Sequence, residues 1–221
     1  MKNRLIAELE KLLPKSMLLP EEIKLLYQWI EQHQLYVDTD DNRIGFLFPE
    51  KDLHESWSES GRKGGTLIQF KAEGSKDLEA WLSKADPAEL QQRLCIFARS
   101  GADGSKCAFW LSDQNELKIV HLGSGSGSLL FCVLADNAVD FLRLLAIGYD
   151  EICWDENFAY APNELEDDFT VEANVAFQQW VKTTFQVDIP DHALQIVPHP
   201  TGMDDEHSQD EFFNWAQQYF Q

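Results

Sequence analysis

Residues able to do chemistry are plentiful in this chain, but few stand at the spacings that chemistry needs. Six histidines, His33, His54, His121, His192, His199 and His207, are scattered along 221 residues. No two share the spacing of a metal-binding helix such as H-E-x-x-H. His207 follows Asp204-Asp205-Glu206, which reads as a solvated acidic turn. Asp38, Asp40 and Asn42 alternate like the start of a calcium loop, yet Arg43 stands where that loop needs glycine and Pro49 where it needs glutamate. Cys95, Cys107, Cys132 and Cys153 lie far apart among apolar residues with no C-x-x-C pair, the pattern of reduced core thiols in an intracellular protein. The repeat Gly123-Ser124-Gly125-Ser126-Gly127-Ser128 invites a phosphate-binding reading. It lacks the G-x-G-x-x-G order, no Lys-Ser or Lys-Thr follows, and the next residues pattern as a strand, so it reads as a connection between strands. No G-x-S-x-G elbow and no signature of an activated thiol is present. These residues assign no catalytic, cofactor-binding or metal-binding role, and the chain is expected to be a non-enzyme.

Carboxylates are the exception in number. The chain carries 38 Asp and Glu against 18 Lys and Arg, a formal charge of −20. Such a charge repels phosphate backbones and anionic lipid surfaces, so nucleic acid and membranes are excluded as expected partners. A basic protein is favoured, because complementary fields speed encounter. The charge is also uneven. From Leu144 onward there are 16 acids and one base, Lys182, about −15; the preceding residues hold 22 acids and 17 bases, about −5. Asp150, Glu151, Asp155 and Glu156 cluster first, and Glu164, Glu166, Asp167 and Asp168 follow. Solubility alone would explain acids placed in this way. The sharper expectation is that these eight residues form one acidic face for a basic partner.

A folded scaffold has to position them. The chain is 44% hydrophobic and 12% aromatic, enough to bury a core without disulfides or metals. Leu5, Ile6, Leu9, Leu12 and Leu13 predict a helix before Pro14, and a second begins at Pro20 with Ile23, Leu26, Tyr27 and Ile30 on one face. Asp38–Asn42 reads as a turn. Ile44–Phe48, Thr66–Phe70, Leu94–Ala98, Cys107–Leu111, Leu117–His121 and Leu129–Leu134 read as strands, joined in several places by turn residues that favour antiparallel hairpins. Leu53–Lys63 reads as an irregular connection or short helix. Leu78–Leu82, Ala88–Gln92, Val139–Ile147 and Val171–Phe185 read as helices. The third of these is apolar nearly all round and must be buried across the sheet, capped by Asp136 or Asn137 and ended by Gly148. Phe212, Phe213, Trp215 and Tyr219 are expected to dock a short helix at the end of an acidic tail. No run is apolar enough for a membrane span and no signal peptide is evident, so a cytoplasmic location is expected.

Several of these stretches read together resemble one family. They are Arg93–Ala98 leading to Gly101-Ala102-Asp103-Gly104-Ser105, then Ala108-Phe109-Trp110-Leu111, then Ile119-Val120-His121-Leu122-Gly123. Phe141-Leu142-Arg143-Leu144-Leu145 with Ile147-Gly148-Tyr149, and Phe177-Gln178-Gln179-Trp180-Val181 leading to Val187-Asp188-Ile189-Pro190, complete the series. It resembles the SUKH superfamily, which includes the yeast cell wall assembly regulator and many bacterial proteins, over residues 44–190. The resemblance implies an α+β fold, a central, mostly antiparallel sheet of about five to six strands flanked by helices. Residues 1–36 would add a helical segment and residues 191–221 an acidic tail, all in one domain. It also implies a non-catalytic, protein-binding role: many bacterial members act as immunity proteins against toxins, often nucleases. Two other roles stay open at this point, a regulatory or scaffold protein for an endogenous partner and a small-ligand domain using Gly123–Ser128.

Overall fold

A computed structural model describes residues 3–52, 61–63, 67–165 and 170–220. The first two helices form where the apolar spacing places them. Helix α1 (Arg4–Leu12) is capped by the Asn3 side chain, which accepts from the Ile6 N–H at 3.1 Å. Helix α2 (Glu21–Gln32) begins directly after Pro20 with two glutamates in its first turn, where the helix dipole favours acids.

The sheet is antiparallel throughout. Its strands are β1 (Tyr36–Asp38), β2 (Arg43–Gly45), β4 (Gln69–Gly74), β5 (Leu94–Arg99), β6 (Lys106–Leu111), β7 (Leu117–Leu122) and β8 (Val133–Ala135), in that spatial order. Strand β3 (Gly61–Lys63) lies outside it and pairs in parallel with β9 (Thr170–Glu172). The expected α+β architecture is therefore present, with seven strands in the sheet in place of five to six. The additional member is the edge strand β1, three residues long and too brief to show a period in the sequence.

Both faces of the sheet are covered, which explains why the central strands are apolar without interruption. Cys95, Phe97, Cys107, Phe109 and Ile119 point into a core shared with α1, α2, α4 (Ala138–Ile147) and α5 (Val175–Phe185). Phe97 stacks on Phe109 at 4.3 Å between ring centroids and meets Phe141 of α4 edge-on. The alternate residues Leu94, Ile96, Ala108, Trp110, Val120 and Leu122 enter a second core on the opposite face. That core is closed by α3 (Pro87–Arg93), by Leu78 and Leu82, and by α6 (Glu211–Ala216), whose Phe212, Phe213 and Trp215 are buried. The aromatic run near the chain's end thus does dock as a short helix.

Several boundaries differ from the sequence reading, each for a local reason. Leu129–Leu134 is a regular strand only from Val133. Before that it shares its backbone bonds between β7 and a segment near Thr201, with Phe131 N–H donating to the Thr201 carbonyl at 2.6 Å. Leu78–Ala80 is a single 3-10 turn. The helix expected over Val171–Phe185 starts at Val175, because Asn174 caps Phe177 N–H at 3.0 Å and Val171 belongs to β9. In the stretch expected over Leu53–Lys63, residues 53–60 lie outside the described residues, and Gly61–Lys63 is strand. Helix α4 is capped by Asn137 and ended by Gly148 at φ 104°, and Arg143 bonds Asp140 at 2.7 Å, as the spacing predicts.

Candidate partner-binding site

The acidic segment begins where Gly148 turns the chain out of α4. A side chain is disfavoured at this positive φ, and an added Cβ would meet that of Ala173 at 3.0 Å. Tyr149 follows, buried, and its hydroxyl fixes the next loop: it donates to the Tyr160 carbonyl at 2.8 Å and accepts from Ala193 N–H at 2.9 Å. Phe158, fully buried, anchors the loop from below. Glu164 accepts from Ala161 N–H at 2.8 Å. Asn163, at φ 67°, presents its amide to Val171 as a neighbouring strand would, donating to the carbonyl at 2.9 Å and accepting from the N–H at 2.6 Å. The loop is therefore clasped to β9 by main-chain-like bonds.

Between this loop, the segment after Tyr149 and the β3–β9 pair lies a cleft of about 270 Å³. Tyr149, Trp154, Tyr160, Pro162 and Leu165 give it apolar and aromatic walls, and Asp150, Glu151, Arg62 and Asn163 line it with polar groups.

The eight expected acids are not equivalent. Asp150 is ion-paired with Arg62 of β3 at 2.9 Å. Glu151 is half-buried and accepts from Ala102 N–H and from the Trp154 indole N–H, both at 2.6 Å. These two acids hold the cleft together as much as they face it. Burial raises the Asp155 carboxyl above its ordinary range. Glu156 and Glu164 are exposed. Glu166, Asp167 and Asp168 lie outside the described residues. The sequence reading missed Arg62, Tyr149, Trp154, Tyr160 and Asn163. Trp154 and Tyr160 were visible as aromatics inside an acidic segment; Arg62, 88 residues before Asp150, left no local signal.

The glycine–serine loop does cradle an anion, and the anion is the protein's own Asp103. Its carboxylate accepts from Ser105 N–H at 3.0 Å, Ser105 Oγ at 2.7 Å, Ser124 Oγ at 2.7 Å and Ser128 N–H at 2.9 Å. Burial alone would raise this carboxyl; the bonds from Ser105, Ser128 and Ser124 outweigh it and hold it below the usual range. Gly127 is required by contact, since a Cβ there would lie 2.7 Å from that of Asp103. Ser128 Oγ donates to the Cys153 carbonyl at 2.6 Å, tying the loop to the acidic segment.

Beneath this clasp, Ser100 Oγ lies 2.8 Å from His121 Nε2, and His121 Nδ1 lies 2.8 Å from the Leu130 carbonyl. The carbonyl requires a proton on Nδ1, which leaves Nε2 to accept from the serine. The pairing resembles a nucleophile and its base, but both residues are fully buried, beyond the reach of a substrate. Burial pushes His121 down to about 4. All four cysteines are free and buried, and burial pushes Cys95 and Cys107 up to about 12, away from thiolate chemistry. Among the described residues, no group of three or more His, Cys, Asp or Glu is placed to hold a metal, and no helix is long and apolar enough to cross a membrane.

Comparison with protein-family models, with curated proteins and with solved structures returns no match.

Proposed function

We propose that this chain is a non-catalytic protein-binding module of the immunity type, which neutralises a basic toxin, in the simplest case a nuclease, by covering its active surface. The observation that carries the reading is the cleft after α4, with aromatic walls inside the most acidic third of the chain and the exposed carboxylates Glu156 and Glu164 on the same segment. Interfaces draw their energy from a few buried anchors in pockets, and charged rims set encounter rate and selectivity. A nuclease must hold a basic groove for phosphates, and carboxylates can occupy it in their place. The resemblance to the SUKH superfamily points to the same role, and four buried thiols outside any disulfide suit a cytoplasmic location. The inward-turned donors of Gly123–Ser128 count against the small-ligand reading, since Asp103 already fills that nest.

The test is kinetic. With a basic protein that binds the chain, replacing Glu156 and Glu164 by glutamine should slow association several-fold at low ionic strength and flatten its dependence on salt, with dissociation little changed. An association rate and salt dependence identical to those of the unaltered chain would overturn the acidic face.

A further inference from the structure

Resting on that reading, we infer that the cleft after α4 receives a single arginine side chain of the partner, with the guanidinium set between Trp154, Tyr160 and the Glu151 carboxylate. Three observations converge on this occupant. The cleft, at about 270 Å³, lies at the low end of the roughly 300–1,000 Å³ of small-molecule pockets and has room for one long side chain. Its lining includes Tyr149, Trp154 and Tyr160, and aromatic rings attract cations; a planar guanidinium stacks on them where an ammonium cannot. Among the described residues, its charged lining is Asp150, Glu151 and Arg62, two acids against one base.

Glu151 is held ready for this contact. Each of its oxygens accepts one hydrogen bond, from Ala102 N–H and from the Trp154 indole, which leaves a lone pair on each for a two-pronged donor. The indole bond also fixes the position of Trp154, so the aromatic wall needs no ordering when the partner arrives. Tyr160 is 39% exposed at the rim, as an unfilled stacking surface would be.

The test titrates the 15N-labelled chain with N-acetyl-arginine amide, its neutral isostere N-acetyl-citrulline amide, and N-acetyl-lysine amide. The indole N–H resonance of Trp154 and the side-chain amide of Asn163 report on the cleft. Arginine amide should shift both saturably, with half-saturation on the order of 10 mM for one cationic contact, the lysine compound more weakly, and citrulline amide not at all. Tyr160→Leu keeps the backbone carbonyl that Tyr149 bonds, so it should preserve the rest of the spectrum and weaken the arginine response at least threefold. No saturable shift, or a citrulline response equal to that of arginine, overturns the assignment. No partner protein enters this titration, so its failure is separate from failure of the salt test, which judges the acidic face.

Discussion

His121 shows what a single buried residue commits the fold to. Its Nδ1–H and Nε2 are both paired inside the sheet, so the neutral ring is required, and burial holds its pKa at about 4 against about 6.5 in an unfolded chain. Between these values the unfolded state binds a proton that the native state does not, so stability falls as pH drops from 6.5 toward 4. The contribution is about 2 kcal/mol between pH 7 and pH 5. Asp210 works in the opposite sense. It caps α6 through Phe213 N–H at 2.8 Å, and burial raises its carboxyl to about 6. The native state there holds a proton that the unfolded state has lost, so this residue's contribution is full below about pH 4 and disappears as pH rises through 6. Urea unfolding at pH 5 and pH 7 separates the two. His121→Gln should lose most of the acid-side decline, and Asp210→Asn should steepen it relative to the unaltered chain. Equal pH dependence in all three proteins would refute both assignments.

At the scale of elements, α6 is the piece whose removal tells most about the second core. Phe212 stacks on Phe131 at 4.9 Å and meets Trp110 edge-on at 5.2 Å, with Trp215 beside them. Phe212→Ala leaves a cavity under the sheet and should cost about 3–5 kcal/mol in equilibrium unfolding; a loss below about 1 kcal/mol would mean that α6 is only loosely docked. The helix was legible in the sequence because four aromatics in eight residues have no other place to go. The central strands were legible for a related reason, since a sheet covered on both faces writes an uninterrupted apolar run. What escaped was carried by few residues or by distant ones. Strands β1, β3 and β9 span three residues each, and β9 depends on Asn163 and on pairing with β3, about 109 positions earlier in sequence. The same distance hid the cleft: its acids were visible as a cluster, but their division into Asp150 and Glu151, which brace the walls, and Glu156 and Glu164, which face solvent, depends on Arg62, Ala102 and Trp154. Likewise the spacing of Gly123–Ser128 suggested an anion without naming Asp103 as its source.

Over the whole molecule, a charge of −20 is balanced unevenly. Arg43 lies among Asp38, Glu31 and the Tyr36 ring, so the first two thirds of the chain neutralise part of their own charge locally, and Lys118 lies among Asp136, Glu116 and, from the last third, Glu211. The last third has one base of its own and borrows Arg62 for Asp150 and Lys118 for Glu211. On the proposed reading, the field that reaches a partner comes mainly from the segments after α4. Affinity capture from the cells that encode the chain, at about 50 and 500 mM salt around the screening range, puts this to the test. The unaltered protein and a Glu156→Lys/Glu164→Lys variant would be used in parallel. The expected result is a basic protein retained by the unaltered chain at low salt, reduced at high salt and lost with the reversed charges. A protein held equally by both forms, or one that is itself acidic, would contradict it.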